Sequence, residues 1–125
     1  MPELPDDVER FISEHVDSLA QLEILLLLRA RPSKEFQPAE VTAELRLGPA
    51  TAPERLADLS SLGILAVQGD PPRYRYAPTS DEARRVIDAL ARCYAERRVV
   101  VITQIFSPRS DSVRSFADAF KLRRR

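Results

Sequence analysis

Apolar side chains recur at helical spacing along most of this chain and alternate with polar ones over only one short stretch. A helix over residues 19–31 is predicted to lie buried at the centre of the fold, because its leucines leave it few polar sides. Ser18 and Gln21 match the spacing that marks a helix start, and Pro32 ends the helix because its nitrogen has no hydrogen to donate. A shorter helix is predicted before it, at residues 8–15.

Two short helices follow, with signals at their ends. Pro38 suits the first turn of the first helix, where a missing N–H group costs no helical hydrogen bond. Thr51 and Glu54 repeat the helix-start spacing for the second, with Thr51 as the predicted N-cap, and Gly63 ends that helix as a left-handed cap. The apolar stripe of the second helix comprises Leu56, Leu59 and Leu62.

The alternating stretch comes next and predicts a β-hairpin. Residues 64–67 form one strand, the Gly- and Pro-rich residues 69–72 break it, and residues 73–76 alternate as the second strand. Arg73 and Arg75 then share one face of that strand and either contact phosphates or form a solvated face over packed tyrosines. Helix, turn, helix and hairpin together predict a winged helix-turn-helix domain, mainly α with a small β-hairpin.

A long C-terminal helical arm is predicted after the hairpin. A third start signature, at Thr79 and Glu82, opens a helix over residues 80–106, which would be about 40 Å long at 1.5 Å per residue. Residues 99–102 are β-branched throughout, so a strand there remains an alternative. A last short helix is predicted at residues 113–122. The predicted divisions are an N-terminal segment (1–17), the winged-helix domain (18–79) and the arm (80–125).

The arm carries more apolar residues than one face of a lone helix buries, which predicts that it pairs with a second copy of the chain. For the last helix, docking on the chain's own domain is the open alternative. The predicted homodimer interface comprises Leu90, Tyr94, Val101, Ile102, Ile105, Phe106, Phe116 and Phe120.

Charge is distributed unevenly along a chain whose composition, 44% hydrophobic and 30% charged in 125 residues, is typical of a soluble globular protein. Residues 1–62 hold 6 basic and 12 acidic residues, a net charge of −6, whereas residues 63–125 hold 13 and 7, a net charge of +6. This asymmetry favours either a polyanionic partner or self-association between unlike halves.

Catalytic and metal-binding chemistry finds little support in the residue types. One cysteine and one histidine cannot form a metal site rich in nitrogen and sulfur, and three glycines hold no phosphate loop. We therefore expect no enzyme activity, no metal and no cofactor. Cys93, lying between Arg92 and Arg97, is either structural or redox-active. A single cysteine and an acidic N-terminus without signal-peptide features predict a cytoplasmic protein that does not enter a membrane.

From residue 19 to residue 78 the chain resembles the winged-helix superfamily of bacterial transcription regulators, through Leu-x-x-Leu-x-x-Leu-Gly-Ile-Leu followed by a tyrosine-rich strand. The long helix after the hairpin is similar to the dimerisation helices of the MarR and PadR types. The resemblance implies a DNA-binding transcription regulator, whose second motif helix enters the major groove and whose hairpin, the wing, touches the backbone or the minor groove. It assigns groove-facing positions to Thr51, Glu54, Arg55 and Asp58, and wing contacts to Arg73 and Arg75.

The charges of the groove-facing helix leave two functions open. Arg55 is its only cation, and the carboxylates of Glu54 and Asp58 beside it would face phosphates unless Arg55 masks them. In one interpretation, double-stranded DNA is bound mainly through the wing and the basic tail, with Lys121 and Arg123 as contacts. The alternative for the tail is a cation-rich helix end that compensates the last carbonyl groups and the helix dipole. In the other interpretation, the chain is a protein-interaction module that does not bind DNA directly. Its acidic face, which would meet a basic protein partner, comprises Glu40, Glu44, Glu54 and Asp58.

Overall fold

The computed structural model describes residues 4–106, which form six helices and one two-stranded antiparallel sheet, as the predicted fold class requires. The predicted helix at residues 113–122, with Phe116, Phe120, Lys121 and Arg123, lies outside the described residues. Within residues 4–106 no helix is both long and apolar enough to cross a membrane. The elements are α1 (Asp6–His15), α2 (Leu19–Ala30), α3 (Pro38–Leu45), α4 (Thr51–Ser61), β1 (Leu65–Gln68), β2 (Arg73–Tyr76), α5 (Asp81–Glu96) and α6 (Arg98–Phe106).

The helix α2 lies at the centre of the fold, as its leucine pattern predicts. Leu22, Leu25 and Leu28 are completely buried, and α2 packs against α3, α4 and β2. Ser18 starts the helix as predicted, because its hydroxyl oxygen accepts a hydrogen bond of 3.1 Å from the Gln21 backbone N–H. Each buried leucine contributes about 1.5–3 kcal/mol relative to an exposed one, so this row anchors the elements around it.

The helix-start signature predicted at Thr51 is wrong. Thr51 is the first residue of α4 itself, and no side chain caps that helix. The Glu54 carboxylate, which a capping box would need, instead lies 3.5 Å from Arg55 Nη2. A capping box forms one helix earlier, at α3, where the Gln37 backbone N–H donates to Glu40 Oε1 over 2.8 Å.

Gly63 and Thr79 join the hairpin to the helices on either side. Gly63 ends α4 with a φ of 81°, which confirms the left-handed cap. Thr79 is not the N-cap of α5, because its backbone N–H donates to the Gly63 carbonyl oxygen over 2.9 Å and it belongs to this junction. Ser80 takes the role one residue later, with its hydroxyl oxygen accepting from the Ala83 N–H at 3.0 Å.

The single helix predicted over residues 80–106 is wrong, because the chain leaves the helical conformation at Arg97, with a φ of −137° and a ψ of 57°. Residues 99–102 are nevertheless helical, which excludes the strand alternative. The division has a packing cause, since it lets α6 pack against both α1 and α5 and bury Val101 and Ile105 there.

The hairpin is held near its turn by the loop that precedes α3. β1 begins one residue later than predicted, and Leu65 faces Tyr76 across the antiparallel pair. Tyr74 and Tyr76 are buried while the arginines of β2 point to the other face, as predicted from the alternation. Phe36 extends the sheet by one bridge, because it and Tyr74 exchange two backbone hydrogen bonds of 2.8 Å each.

Candidate nucleic-acid interface

The helix α4, whose predicted role is to face the groove, presents an outer surface without a free cation. Leu56 and Leu59 anchor its inner side in the core. Thr51 is half-buried at its first turn, where its backbone N–H donates to the Gly48 carbonyl oxygen over 3.3 Å. Because Glu54 and Asp58 are exposed and Arg55 is half-buried, a duplex that approached this helix would meet two carboxylates first. The exposed residues of α4 are Pro53, Glu54, Ala57, Asp58 and Ser61.

Arg55 is enclosed by three carboxylates, and we call these four side chains the Arg55 cluster. Its Nη1 lies 3.1 Å from Asp17 Oδ1 and 3.4 Å from Asp58 Oδ2, and its Nη2 lies 3.5 Å from Glu54 Oε1. The arginine side chain is only 24% exposed, whereas the three carboxylates are more than half exposed. Arg55 therefore pairs with both acids of its own helix, but a third acid, Asp17, leaves the cluster with a net charge of −2.

The two wing arginines differ in what holds them. Arg73 forms an ion pair within the chain, with its Nε 3.1 Å from Glu35 Oε1, and its guanidinium lies over Gly69. The hydrogen bond from Arg73 is the main reason that the pKa of the Glu35 carboxyl is lowered, and a second hydrogen bond from Gln68 acts in the same direction. Arg75 is exposed, and no carboxylate among residues 4–106 lies within ion-pair distance of it. Arg75 is thus the wing cation available to a ligand.

Sequence reasoning missed a second available cation, Arg46, in the turn between α3 and α4. Arg46 is exposed, has no ion pair within the described part of the chain, and adopts a left-handed conformation with a φ of 57°. Its backbone N–H donates to the Thr42 carbonyl oxygen and closes α3. The signal in the sequence was its position just before Gly48-Pro49, where a turn was predicted.

The acids of α3 are partly neutralised by neighbouring bases. Glu40 Oε2 lies 3.2 Å from Lys34 Nζ, and the pKa of its carboxyl is lowered, chiefly by the hydrogen bond from the Gln37 backbone N–H. Glu44 lies 3.9 Å from an Nη atom of Arg31. The uncompensated negative charge of this surface is therefore concentrated on α4 and Asp17 rather than on α3.

The residues predicted for the dimer interface separate into buried and exposed groups. Leu90, Val101 and Ile105 belong to the chain's own core and offer no surface to a second chain in this conformation. Tyr94 is partly buried beneath the guanidinium of Arg98, whose Cζ lies 4.9 Å from the ring centroid. Val100 of α6 packs against the core, whereas Val99 is 74% exposed, Phe106 is 65% exposed and Ile102 is half-buried.

Other candidate chemistry is sparse within residues 4–106. No group of three or more His, Cys, Asp or Glu side chains there is placed to hold a metal ion. Cys93 is half-buried, and His15 packs edge-on against Phe11 at 5.3 Å between ring centroids. A groove of about 260 Å³ lies between α1 and the start of α5, where Phe11, Leu62 and Ile64 form part of its apolar wall.

The fold is shared with solved structures of transcription regulators, although no protein-family model and no curated protein sequence matches the chain. A MarR family transcriptional regulator from Streptomyces coelicolor is 20% identical, with a TM-score of 0.57 over 93% of this chain and 79% of that one. A transcriptional regulator from Thermotoga maritima is 16% identical, with a TM-score of 0.50 over 94% of this chain and 81% of that one. The described chain therefore has the MarR-like winged-helix fold.

Proposed function

We propose that this chain is a DNA-binding transcriptional regulator of the winged-helix type that acts as a homodimer in the cytoplasm. The observation that carries the proposal is the extent of the likeness to the Streptomyces coelicolor regulator, which covers 93% of this chain. The likeness therefore includes the flanking helices as well as the helix-turn-helix and the wing. A shared core of three helices and a hairpin alone would support the proposal far less, because one fold serves many functions.

Backbone contacts supply most of the proposed affinity. Arg75 on the wing and Arg46 in the turn between α3 and α4 are exposed cations without ion pairs among the described residues. Phosphate contacts of this kind position a protein on DNA without selecting a sequence. Of the predicted groove-facing residues of α4, Thr51 and Arg55 carry donors for base edges, and Arg55 is engaged by acids. The predicted tail contacts, Lys121 and Arg123, would add further contacts with DNA phosphates.

The titration that tests DNA binding uses a labelled duplex of mixed sequence at about 50 mM salt, where phosphate contacts are strong. Arg75→Ala should weaken binding to all sequences alike and reduce the slope of log K against log salt by about 0.9 per chain. Arg73→Ala should have a smaller effect, because that arginine is already paired with Glu35. Arg92→Ala, an exposed arginine on α5, is the matched control. A wild-type protein that binds no duplex under these conditions would refute the DNA-binding proposal.

The outer face of α6 supports the proposed homodimer. Val99, Ile102 and Phe106 are three and four residues apart and therefore share one face of the helix. Two of them are among the most exposed large apolar side chains of the described residues, a pattern that marks a contact surface. The predicted contributions of Phe116 and Phe120 would extend the same interface.

Sedimentation of the full chain should give about twice its mass of 14.1 kDa at micromolar concentrations. Phe106→Glu should produce a folded monomer, because burying a lone carboxylate in the interface is costly while the exposed site tolerates it in one chain. Val67→Glu is the control, since Val67 is also exposed but lies on the hairpin. A monomeric wild type would rule out the homodimer.

One observation favours a second function, a protein-interaction module. The exposed face of α4 carries Glu54 and Asp58 and no cation, and Asp17 adds a further acid beside it. A basic protein surface would be attracted where a phosphate backbone is repelled. Replacing Glu54 and Asp58 together by lysine separates the two functions. It should tighten duplex binding by a DNA regulator, whereas an interaction module would bind no duplex before or after the change at moderate salt.

A further inference from the structure

We propose that Asp17 is a positioning residue, because its carboxylate holds the Arg55 guanidinium and withholds it from bound DNA. The inference rests on the proposed DNA-binding function and adds a residue outside the helix-turn-helix to it. Arg55 is the only cation of α4, so any arginine contact of that helix with bases depends on whether Asp17 releases it. The geometry of the Arg55 cluster carries the argument.

Asp17 differs from the other two acids of the cluster because it belongs to another part of the fold. Glu54 and Asp58 lie on the same helix as Arg55. Asp17 lies 38 residues before Arg55 in the chain, between α1 and α2. Its contact is also the shortest of the three, at 3.1 Å between Arg55 Nη1 and Asp17 Oδ1. Asp17 is therefore the partner that ties the guanidinium to a part of the fold outside α4.

The backbone of Asp17 is fixed, so its carboxylate cannot simply follow Arg55 to a ligand. Val16 before it is buried, and the Asp17 backbone N–H donates to Gln21 Oε1 over 3.2 Å. Gln21 itself is 2% exposed and therefore has little freedom to move. An Arg55 side chain that extended toward a duplex would have to break the ion pair with Asp17.

The ion pair is weak enough to exchange for a DNA contact. The Asp17 side chain is 65% exposed, and exposed ion pairs contribute at most about 1 kcal/mol, or about fivefold in an equilibrium constant. Three carboxylates around one guanidinium also leave excess negative charge, which opposes an approaching phosphate. Removing the Asp17 charge should thus release Arg55 and reduce repulsion in the same step.

Asp17→Asn should tighten duplex binding by about two- to fivefold per chain, measured by anisotropy with the full chain at about 50 mM salt. The decisive comparison repeats the substitution with Arg55→Gln in place, where the part of the gain that comes from releasing Arg55 should disappear and only the part from reduced repulsion should remain. Glu54→Gln is the matched control, because it removes the same charge from the same cluster but keeps Asp17. Its gain, which comes from reduced repulsion of phosphates, should persist with Arg55→Gln.

Two results would overturn the inference while leaving the proposed function intact. The first is a wild type that binds duplex and an Asp17→Asn variant that binds it equally well. The second is a gain from Asp17→Asn that is just as large with Arg55→Gln in place, which would mean that Asp17 acts only by repelling phosphates. Absence of binding by both the wild type and Asp17→Asn would instead refute the proposed function together with the inference. Far-UV circular dichroism of each variant establishes that the fold is retained.

Discussion

Replacing Gly63 by alanine should destabilise the protein, because the junction between α4 and β1 needs a residue without a side chain at this position. The φ of Gly63 is 81°, a conformation that costs a residue with a side chain about 1–2 kcal/mol. An added Cβ would also lie 2.8 Å from Thr79 Oγ1. Rotation of the threonine side chain gives little relief, because its Cγ2 is already 3.7 Å from the same point and its backbone N–H is bonded to the Gly63 carbonyl oxygen.

The expected net loss is about 2 kcal/mol in the free energy of unfolding. The conformational cost and about 1 kcal/mol for the contact add together, and the reduced entropy of the unfolded alanine chain offsets about 0.4–1 kcal/mol. For a domain of this size the melting temperature should fall by about 6–10 °C. Urea unfolding followed by far-UV circular dichroism measures the change.

Two further variants separate the contributions at this junction. Gly48→Ala is the matched control, because its added Cβ would be 3.7 Å from Thr51 Oγ1, an ordinary contact distance. It should leave the free energy of unfolding unchanged or raise it by up to about 1 kcal/mol. Thr79→Ala combined with Gly63→Ala should recover the part due to the contact. Equal stabilities for Gly63→Ala, Gly48→Ala and the wild type would refute the reasoning.

The remaining predictions concern α6, the turn before α4 and the hairpin. Val101→Ala should lower the free energy of unfolding by about 2 kcal/mol in urea, because the residue is completely buried. Arg46→Gly should raise the free energy of unfolding by about 0.5–1 kcal/mol, because glycine adopts the left-handed conformation without steric strain. An unchanged free energy of unfolding would contradict this. Burial raises the pKa of the Tyr76 hydroxyl, so the unfolded chain ionises first and stability is lost as the pH rises above about 10. Alkaline unfolding curves of Tyr76→Phe should show a smaller loss than the wild type.

Local signals predicted the parts of the fold that depend on neighbouring residues. Ser18 was identified as an N-cap and Gly63 as a left-handed cap, and both were confirmed because each role is set within one helical turn. The alternation of β2 likewise placed Tyr74 inside and Arg75 outside, since a strand has a period of two. These features together were sufficient for the winged-helix fold.

Contacts between distant residues account for what the sequence missed. Nothing near Arg97 signals a turn, and the helix divides there because Val101 and Ile105 gain a buried position against α1 and α5. The sequence left open whether Arg55 pairs with the acids of its own helix, and its ion pair with Asp17 joins positions 38 residues apart. No spacing rule connects such a pair, and only the packing of the loop after α1 on α4 does.

The attachment of the turn end of the hairpin to the loop before α3 determines how this surface would meet any ligand. Phe36 and Tyr74 share two backbone hydrogen bonds, and Glu35 accepts hydrogen bonds from Gln68 and Arg73 across the same junction. The conformational entropy of placing the hairpin was therefore lost during folding, and little of it remains to be lost on association. A partner that contacts Arg75 therefore binds a preorganised hairpin. Any conformational change on binding would occur in the partner. If the partner is a duplex, the duplex would have to deform to fit the hairpin. The energy of that deformation depends on sequence, so it would affect the affinity even at base pairs that no side chain contacts.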